Sequence, residues 1–278
     1  MVKSPIKVIV RTRPTPNIAS NNITINDQTN QINFTIPKQE AQGYVNHQQE
    51  NWNFKFDKVL HNKNQETIFE ASAKEILKSA LQGYSGTVFC YGQTSAGKTY
   101  TMNGDPLKLE LKGLIPRTIH ALFKEIQNRC DQTITCKVSY VEIYNETISD
   151  LLNPSLNSSI TIKEDSQKGI FLKGVTHKVC NTEKETLKSL IEGDSNRTIS
   201  PTLLNTKSSR SHTIFTIHLE IRSKLELNER IIHSKINLVD LAGSERTKKN
   251  KSEGKTLVEA NYINKSLFFL EQVFTLIQ

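Results

Sequence analysis

Apolar residues along this chain fall into short runs typical of strands and longer stretches with helical spacing. The β-branched run 6–10 predicts a strand, and the apolar run 86–91 is typical of a strand buried on both faces. Apolar positions at helical spacing predict a helix over 65–81. The polar stretch 17–50 carries weakly alternating isoleucines and predicts a hairpin or excursion at the sheet edge.

The second half continues this alternation of strands and helices. Thr182 and Glu185 have the spacing of a capping box, so we expect a helix to begin there and to close at Gly193. Residues 214–221 alternate as a half-buried strand does, and 236–241 form another apolar strand. Apolar residues near the end of the sequence again have helical spacing and predict another helix. The pattern favours an α/β sheet protein.

Composition narrows the class of protein. The 278 residues carry 36 basic and 28 acidic side chains, a formal net charge of +8 that suits an acidic partner. No apolar run reaches the length of a membrane helix, and the first residues lack the apolar core of a signal peptide, so we expect neither a membrane-spanning nor a secreted protein. Four scattered cysteines without a CxxC pair predict a reducing compartment and no zinc site.

A phosphate-binding loop is the clearest motif. Residues 92–99 read GQTSAGKT and satisfy GxxxxGK[ST], directly after the apolar run 86–91. Glycines let such a loop curl until its backbone N–H groups face a phosphate, and the following helix adds its positive end. In this pattern Lys98 reaches the β- and γ-phosphates and the Thr99 hydroxyl holds Mg²⁺. The alternative is a plain turn between a strand and a helix.

Two later segments can complete a nucleotide site. Residues 205–212 read NTKSSRSH, and residues 240–245 read DLAGSE at the end of an apolar strand. A strand-end aspartate beside a phosphate loop can act through water on Mg²⁺, and a glycine N–H can bond the γ-phosphate. Each segment alone is more often an ordinary loop.

Together these segments resemble the kinesin motor domain. The matching stretches, in the order and spacing of that family, are RTRP, FDKVL, GQTSAGKTYTM, VSYVEIYNETISDLL, NTKSSRSHTIF, NLVDLAGSER and INKSLFFL. The resemblance covers essentially the whole chain and is nearest to the centromere-protein-E-like branch. It implies one P-loop NTPase domain over 1–278, an α/β fold with a central mixed, mostly parallel sheet and helices on both faces.

The resemblance implies which residues bind ATP and Mg²⁺. Mg²⁺ is expected at Thr99, at Ser209 and, through water, at Asp240. The expected ATP-binding residues are Arg11, Pro14, Gly92, Gln93, Thr94, Ser95, Ala96, Gly97, Lys98, Thr99, Tyr100 and Asn205.

The resemblance also implies a catalytic set in two switch segments, switch I at 205–212 and switch II, the second switch, at 240–245. Ser208 and Ser209 are expected near the γ-phosphate, the attacking water and Mg²⁺. The Gly243 N–H is expected to sense the γ-phosphate. Arg210 and Glu245 are expected to form the ion pair that closes the switches, with Glu245 organising the waters that accept a proton.

The implied partner is the microtubule, which is acidic. The helix after switch II is expected to lie on it, and the candidate contacts are Lys248, Lys249, Lys251, Lys255 and Lys265. For any single lysine the alternative is a solvated surface charge. We expect no nucleic acid or membrane partner.

Kinesin motors continue beyond the last matching stretch. The last helices, the last core strand and the neck linker are therefore expected to be absent here, and dimerisation is expected through segments outside this chain. The implied function is a microtubule-dependent motor ATPase of the cytoplasm and cytoskeleton, including the spindle. The alternative is a nucleotide-binding, microtubule-associated fragment without motility. A GTPase would need Asn-Lys-x-Asp, whereas residues 264–267 read NKSL.

Overall fold

The computed structural model describes residues 6–15, 18–38, 49–105, 108–156, 160–165, 169–199, 210–224, 231–245 and 265–275. The strands in these ranges are β1 (Ile9–Arg11), β2 (Ile23–Asn26), β3 (Gln31–Thr35), β4 (Asn51–Lys55), β5 (Lys58–Leu60), β6 (Gly86–Cys90), β7 (Gln132–Tyr144), β8 (Thr147–Asp150), β9 (Thr161–Asp165), β10 (Gly169–Lys173), β11 (Lys178–Val179), β12 (His212–Ser223) and β13 (Ile231–Asp240). The helices are α1 (Gln65–Ala71), α2 (Ala73–Ala80), α3 (Lys98–Met102), α4 (Leu114–Asn128), α5 (Glu183–Ile199) and α6 (265–275).

A mixed sheet forms the centre of the fold. Its strand order is β11-β7-β12-β13-β6, and β8 pairs with β7. The β13–β6 pairing is parallel, whereas the other four pairings of this sheet are antiparallel. The sheet is mixed as expected, but the expectation that it is mostly parallel is wrong for the described strands. A parallel pair needs a crossover of about a dozen residues or more. Only seven residues, 224–230, separate β12 from β13.

Helices cover both faces of this sheet, as the resemblance implies. Successive side chains of a strand point to opposite faces. On one face Tyr140, Phe215 and Leu238 are buried in the main core beneath α2, α4 and α5. On the other face Val239 packs in a smaller cluster with Leu267 of α6.

Smaller sheets lie beside the central one. The expected hairpin in the polar stretch is β2–β3, in which Ile25 lies opposite Ile32. It forms a separate three-stranded sheet with β4 rather than an edge of the central sheet. Trp52 and Phe54 of β4 stack with their ring centroids 6.3 Å apart. β1 pairs in parallel with β5, and β9 pairs with β10.

Two helix boundaries differ from those expected. The helix expected over 65–81 is broken at Ser72, whose hydroxyl donates to the Ile68 carbonyl at 2.6 Å and so competes with the helical ladder. α5 does not close at Gly193 but continues to Ile199. A Cβ at Gly193 would lie 2.2 Å from the Tyr140 ring, so this glycine serves close packing inside the helix.

The described residues hold neither a membrane-spanning helix nor a metal cluster. None of their helices is both long enough and apolar enough to cross a membrane. In the same ranges, no three His, Cys, Asp or Glu side chains converge on a point that could bind a metal ion. The four cysteines are free thiols, and Cys180 donates its N–H to the Cys136 carbonyl at 3.0 Å.

His218 makes the stability of this fold sensitive to acid. Its ring lies 3.0 Å from the Ser139 hydroxyl and edge-on to His177, with ring centroids 4.7 Å apart. Burial, and then the charges of His177, Lys235 and Lys137, lowers the pKa of His218 from 6.5 to about 4. Between these values the unfolded chain binds a proton that the folded chain excludes. The free energy of unfolding therefore falls as the pH drops from 6.5 toward 4.

We expect the melting temperature to fall by several degrees between about pH 7 and about pH 5. His218→Gln, which keeps a hydrogen-bonding group near Ser139, should show a smaller fall, while His177→Gln at an exposed position should keep most of it. Melting curves followed by circular dichroism measure this difference. The same pH dependence in His218→Gln and in the unaltered chain would contradict the assignment.

Candidate nucleotide site

The phosphate loop connects β6 to α3 through residues 91–97. Gly97 has a φ of +100°, a left-handed conformation that glycine adopts without strain, and it caps the start of α3. The Arg13 guanidinium donates to the Ser95 carbonyl at 2.7 Å and braces the loop from the N-terminal segment. The strand–loop–helix context that the motif needs is therefore present.

Lys98 lies inside the curve of its own loop. Its ammonium donates to the carbonyl oxygens of Gly92 and Gln93, each at 2.9 Å. Burial lowers the pKa of Lys98, although the charges of Asp240 and Glu245 act in the opposite direction. An ammonium has three N–H donors, so these two bonds still allow a phosphate oxygen as a third acceptor.

Asp240 connects the end of β13 to the phosphate loop. Its Oδ2 accepts the Thr99 hydroxyl at 2.6 Å. Its Oδ1 is buried without a hydrogen-bond partner among the described residues. Burial raises the pKa of Asp240. A buried carboxylate oxygen without a donor, beside a threonine hydroxyl, fits an aspartate that holds a water molecule bound to Mg²⁺.

Arg197 of α5 supplies the buried positive charge beside Asp240. Its Nη1 lies 4.0 Å from Asp240 Oδ2, its Nε lies 3.4 Å from Glu142 Oε1, and its Nη2 donates to the Ser211 hydroxyl at 3.1 Å. The Arg197 side chain is 10% exposed, and those of Glu142 and Asp240 are 3% and 6% exposed. This guanidinium orients the two carboxylates. It also holds Ser211, the residue that follows Arg210.

The segment after β13 folds back onto the phosphate loop. The Ser244 N–H donates to the Gly92 carbonyl at 3.1 Å. The Glu245 carboxylate accepts the Thr94 N–H at 2.8 Å and also the Thr94 hydroxyl. A Cβ at Gly243 would lie 2.3 Å from Thr94 Oγ1 and 2.4 Å from Glu245 Oε2, so a larger residue there would displace these side chains. Burial raises the pKa of Glu245, but the two bonds from Thr94 outweigh it and the net pKa is lowered.

Arg11 and Tyr100, two of the residues expected to bind ATP, belong to a polar and aromatic cluster. The Arg11 guanidinium carbon lies 5.3 Å from the Tyr100 ring centroid, and Arg11 donates to Gln65 and to Thr101, each at 2.8 Å. Burial lowers the pKa of Arg11. Tyr100 is 42% exposed, and Pro14 is also exposed. The structure brings Arg11 and Tyr100 together at the mouth of the loop, where a ring can stack.

A buried network anchors the far end of α3. The Tyr140 hydroxyl donates to Asp194 at 2.7 Å, and the Asn103 amide donates to both oxygens of that carboxylate, at 3.1 and 3.3 Å. Burial raises the pKa of Asp194. The network connects α3 with β7 and α5, so the loop–helix unit is held against the sheet.

Several expected site residues lie outside the described residues. These are Asn205, Ser208, Ser209, Lys248, Lys249, Lys251 and Lys255. Arg210 is described as a half-buried turn residue before β12. Its expected pairing with Glu245 stays a prediction. In this structure the Glu245 carboxylate accepts a hydrogen bond from the Thr94 N–H instead. Lys265 forms an ion pair with Glu146 at 2.6 Å, with both side chains 53% exposed.

The sequence patterns missed the supporting residues of this site. Arg197, Asp194 and Gln65 belong to no motif, since each is a single polar residue on a regular element, and Glu142 lies in the stretch VSYVEIYNETISDLL without having been singled out. Burial reveals them, and burial depends on the tertiary fold. Arg13 stands inside the RTRP stretch, so its place next to Arg11 was an available signal.

We expect Arg197→Met to destabilise the protein by about 3–5 kcal/mol, because it removes the guanidinium that lies beside two buried carboxylates. Arg222→Met is the matched control, since Arg222 pairs with Glu220 at 2.7 Å on the surface. It should cost less than about 1 kcal/mol. Urea unfolding measures both values. Equal losses in the two variants would contradict the assigned role of Arg197.

Known proteins share this sequence and fold. A family model described as the kinesin motor domain matches residues 11–278. Kinesin-like protein KLP1 of Chlamydomonas reinhardtii is 46% identical over 98% of this chain and 35% of that protein. Kinesin-like protein KIF9 of Mus musculus is 46% identical over 97% of this chain and 35% of that protein. A solved structure of a fast kinesin, 34% identical, has a TM-score of 0.78 and covers 94% of this chain and 72% of that one.

These matches extend over nearly all of the sequence, and this chain spans about a third of the length of the curated relatives it matches. The assignment to the centromere-protein-E-like branch stays a prediction. This chain belongs to the kinesin motor-domain family.

Proposed function

We propose that this chain is a microtubule-dependent motor domain that hydrolyses Mg-ATP. The observation that carries the proposal is the 2.6 Å contact between Thr99 and Asp240, with the Asp240 Oδ1 buried and lacking a donor among the described residues. This contact joins the phosphate loop to the segment that carries Gly243. A change at the γ-phosphate therefore reaches the second switch directly.

Lys98 and the backbone N–H groups of residues 92–99 would hold the β- and γ-phosphates, and Thr99 with Ser209 and Asp240 would hold Mg²⁺. The metal supplies positive charge that offsets the charge developing on the transferred phosphoryl group. Ser208 and the Gly243 N–H orient the γ-phosphate and the attacking water.

Glu245 has two alternative positions in this mechanism. Its carboxylate accepts a hydrogen bond from the Thr94 N–H, which is one of the loop donors that a phosphate uses. Two anions do not share one donor, so phosphate binding displaces the carboxylate from Thr94. Once released, Glu245 pairs with Arg210 and organises the waters that take the proton of the nucleophile.

The sequence favours ATP over GTP, while the Arg11–Tyr100 cluster suits either purine. Arg11 and Tyr100 offer a stacking surface, which any purine can use. A guanine-reading Asn-Lys-x-Asp is lacking, because residues 264–267 read NKSL. Lys265 of that segment begins α6 and pairs with Glu146.

The proposed partner is the microtubule. The lysines at 248, 249, 251 and 255 precede α6 in the sequence, and Lys265 lies on it, so this region carries the positive charge that an acidic polymer attracts. The proposal places the protein in the cytoplasm on the cytoskeleton, including the spindle, with no nucleic acid or membrane partner. Residues 1–278 act as one motor domain in this proposal.

The test is ATP turnover by this chain with and without polymerised microtubules. We expect microtubules to raise turnover at least about tenfold, and Glu245→Ala to remove that stimulation by losing proton transfer worth about 10²-fold or more. Nucleotide binding without stimulation would instead favour the microtubule-associated fragment without motility. GTP turnover equal to ATP turnover would contradict the assigned nucleotide.

We expect Gly243→Ala to lower ATP turnover at least about 10²-fold, because the added methyl group meets Thr94 Oγ1 and displaces the N–H that senses the γ-phosphate. Gly169→Ala is the control for backbone strain away from the site, since its Cβ meets nothing within 4 Å and its left-handed φ of +66° strains an alanine there. Both variants are compared by steady-state turnover and by binding of a fluorescent ATP analogue. Normal turnover by Gly243→Ala would contradict the role of this glycine.

A further inference from the structure

His212 lies where three parts of the molecule meet. It is the first residue of β12, two residues after Arg210, and its exposed fraction is 9%. Its Nδ1 accepts the Ala242 N–H at 3.1 Å, within the segment that follows β13. Its Nε2 lies 2.8 Å from the Ser266 hydroxyl on α6. One imidazole therefore connects the start of β12, the second switch and the helix after it.

The two contacts fix the state of the ring. Because Nδ1 accepts from a backbone N–H, the single proton of a neutral imidazole is on Nε2, which donates to Ser266. Burial lowers the pKa of His212 to about 4, so the ring is neutral near pH 7. A ring held at both nitrogens has one orientation, and a displacement of either partner strains the other contact.

Both partners of His212, the Ala242 N–H and the Ser266 hydroxyl, lie beside groups that would respond to a change in the bound nucleotide. Ala242 is fully buried and directly precedes Gly243, which is packed against Thr94 and Glu245. Ser266 directly precedes Leu267, which is buried against Val239. The histidine backbone is fixed by pairing with Ile143 in the sheet. His212 therefore links two segments that can move, those of Ala242 and Ser266, with strand β12, which is fixed in the central sheet.

We propose that His212 is the positioning residue that transmits the nucleotide state from Ala242 to α6 through Ser266. This inference rests on the proposed function, because it assumes that the segment around Gly243 responds to the γ-phosphate. A directional hydrogen bond changes energy steeply with geometry, whereas apolar contacts such as Leu267 tolerate sliding. Differential contacts of this kind are what couples two sites.

The test is hydrogen exchange of the α6 amides in the ADP state and in the AMPPNP state. In the unaltered chain we expect exchange rates over 265–275 to differ between the two states by about fivefold or more, the lower range of coupling between sites. Ser266→Ala should reduce that difference below about twofold, while Ser266→Thr, which keeps the hydroxyl, should restore it. His212→Asn keeps an acceptor for the Ala242 N–H but does not reach Ser266, so it should match Ser266→Ala.

The controls separate lost coupling from lost stability. Thr275→Ala removes a hydroxyl from the same helix that bonds only locally to the Glu271 carbonyl, at 3.0 Å, and it should keep the full difference. A variant that merely loosens α6 would raise exchange in both nucleotide states alike. Protection of the loop peptide 92–102 by nucleotide shows that each variant still binds it. The double variant His212→Asn/Ser266→Ala should reduce the nucleotide-dependent difference in α6 exchange no further than either single variant, because both substitutions remove the same hydrogen bond between His212 and Ser266.

A full nucleotide-dependent difference in Ser266→Ala, or additive effects in the double variant, would overturn the proposal. Co-sedimentation of the unaltered chain with microtubules, in ADP and in AMPPNP, tests the proposed function separately. If the chain fails to bind microtubules in both states but α6 exchange follows the predicted pattern, the partner is wrong and the His212 bridge stands. If nucleotide does not protect the 92–102 peptide of the unaltered chain, both proposals fall.

Discussion

The parallel pairing of β6 with β13 is the contact on which the candidate site depends. In this register Asp240 lies opposite Cys90, and both strands end there. The two segments that follow leave the sheet side by side, so Leu241 and Ser244 donate to the carbonyls of Cys90 and Gly92. A shift of one residue would turn Asp240 to the opposite face, away from Thr99. The strand register therefore brings the phosphate loop and the second switch into contact.

Burial of charge beside this edge gives the site its chemistry. Glu142 and Asp240 are buried beside the guanidinium of Arg197. Burying carboxylates is costly, and stability alone would favour apolar groups of similar volume. The burial that raises the pKa of Asp240 also strengthens its attraction for a cation. A divalent ion at Thr99 and Asp240 fits this attraction.

The two faces of the sheet differ in how firmly they are packed. The main core under α2, α4 and α5 contains fully buried side chains such as Phe215 and Ile236. Among the described residues, the opposite face holds a small cluster around Leu267, and Phe268 and Phe269 of α6 are more than half exposed. Elements with few buried contacts move at low energetic cost, whereas a dense core does not deform. The fold thus places a rigid body on one side of the nucleotide site and a movable helix on the other.

Sequence spacing alone determined the phosphate loop and the alternating strand 214–221. These features are local, since a loop motif or a period-two pattern depends on neighbours in the chain. The tertiary structure decided that β12 and β13 are antiparallel, that Gly193 continues α5 against Tyr140, that Arg197 lies beside Asp240, and that His212 bonds to Ala242. Those outcomes depend on pairing and burial between residues far apart in the chain. No local pattern encodes such contacts, because their energy arises only once the sheet has excluded water from the groups it brings together.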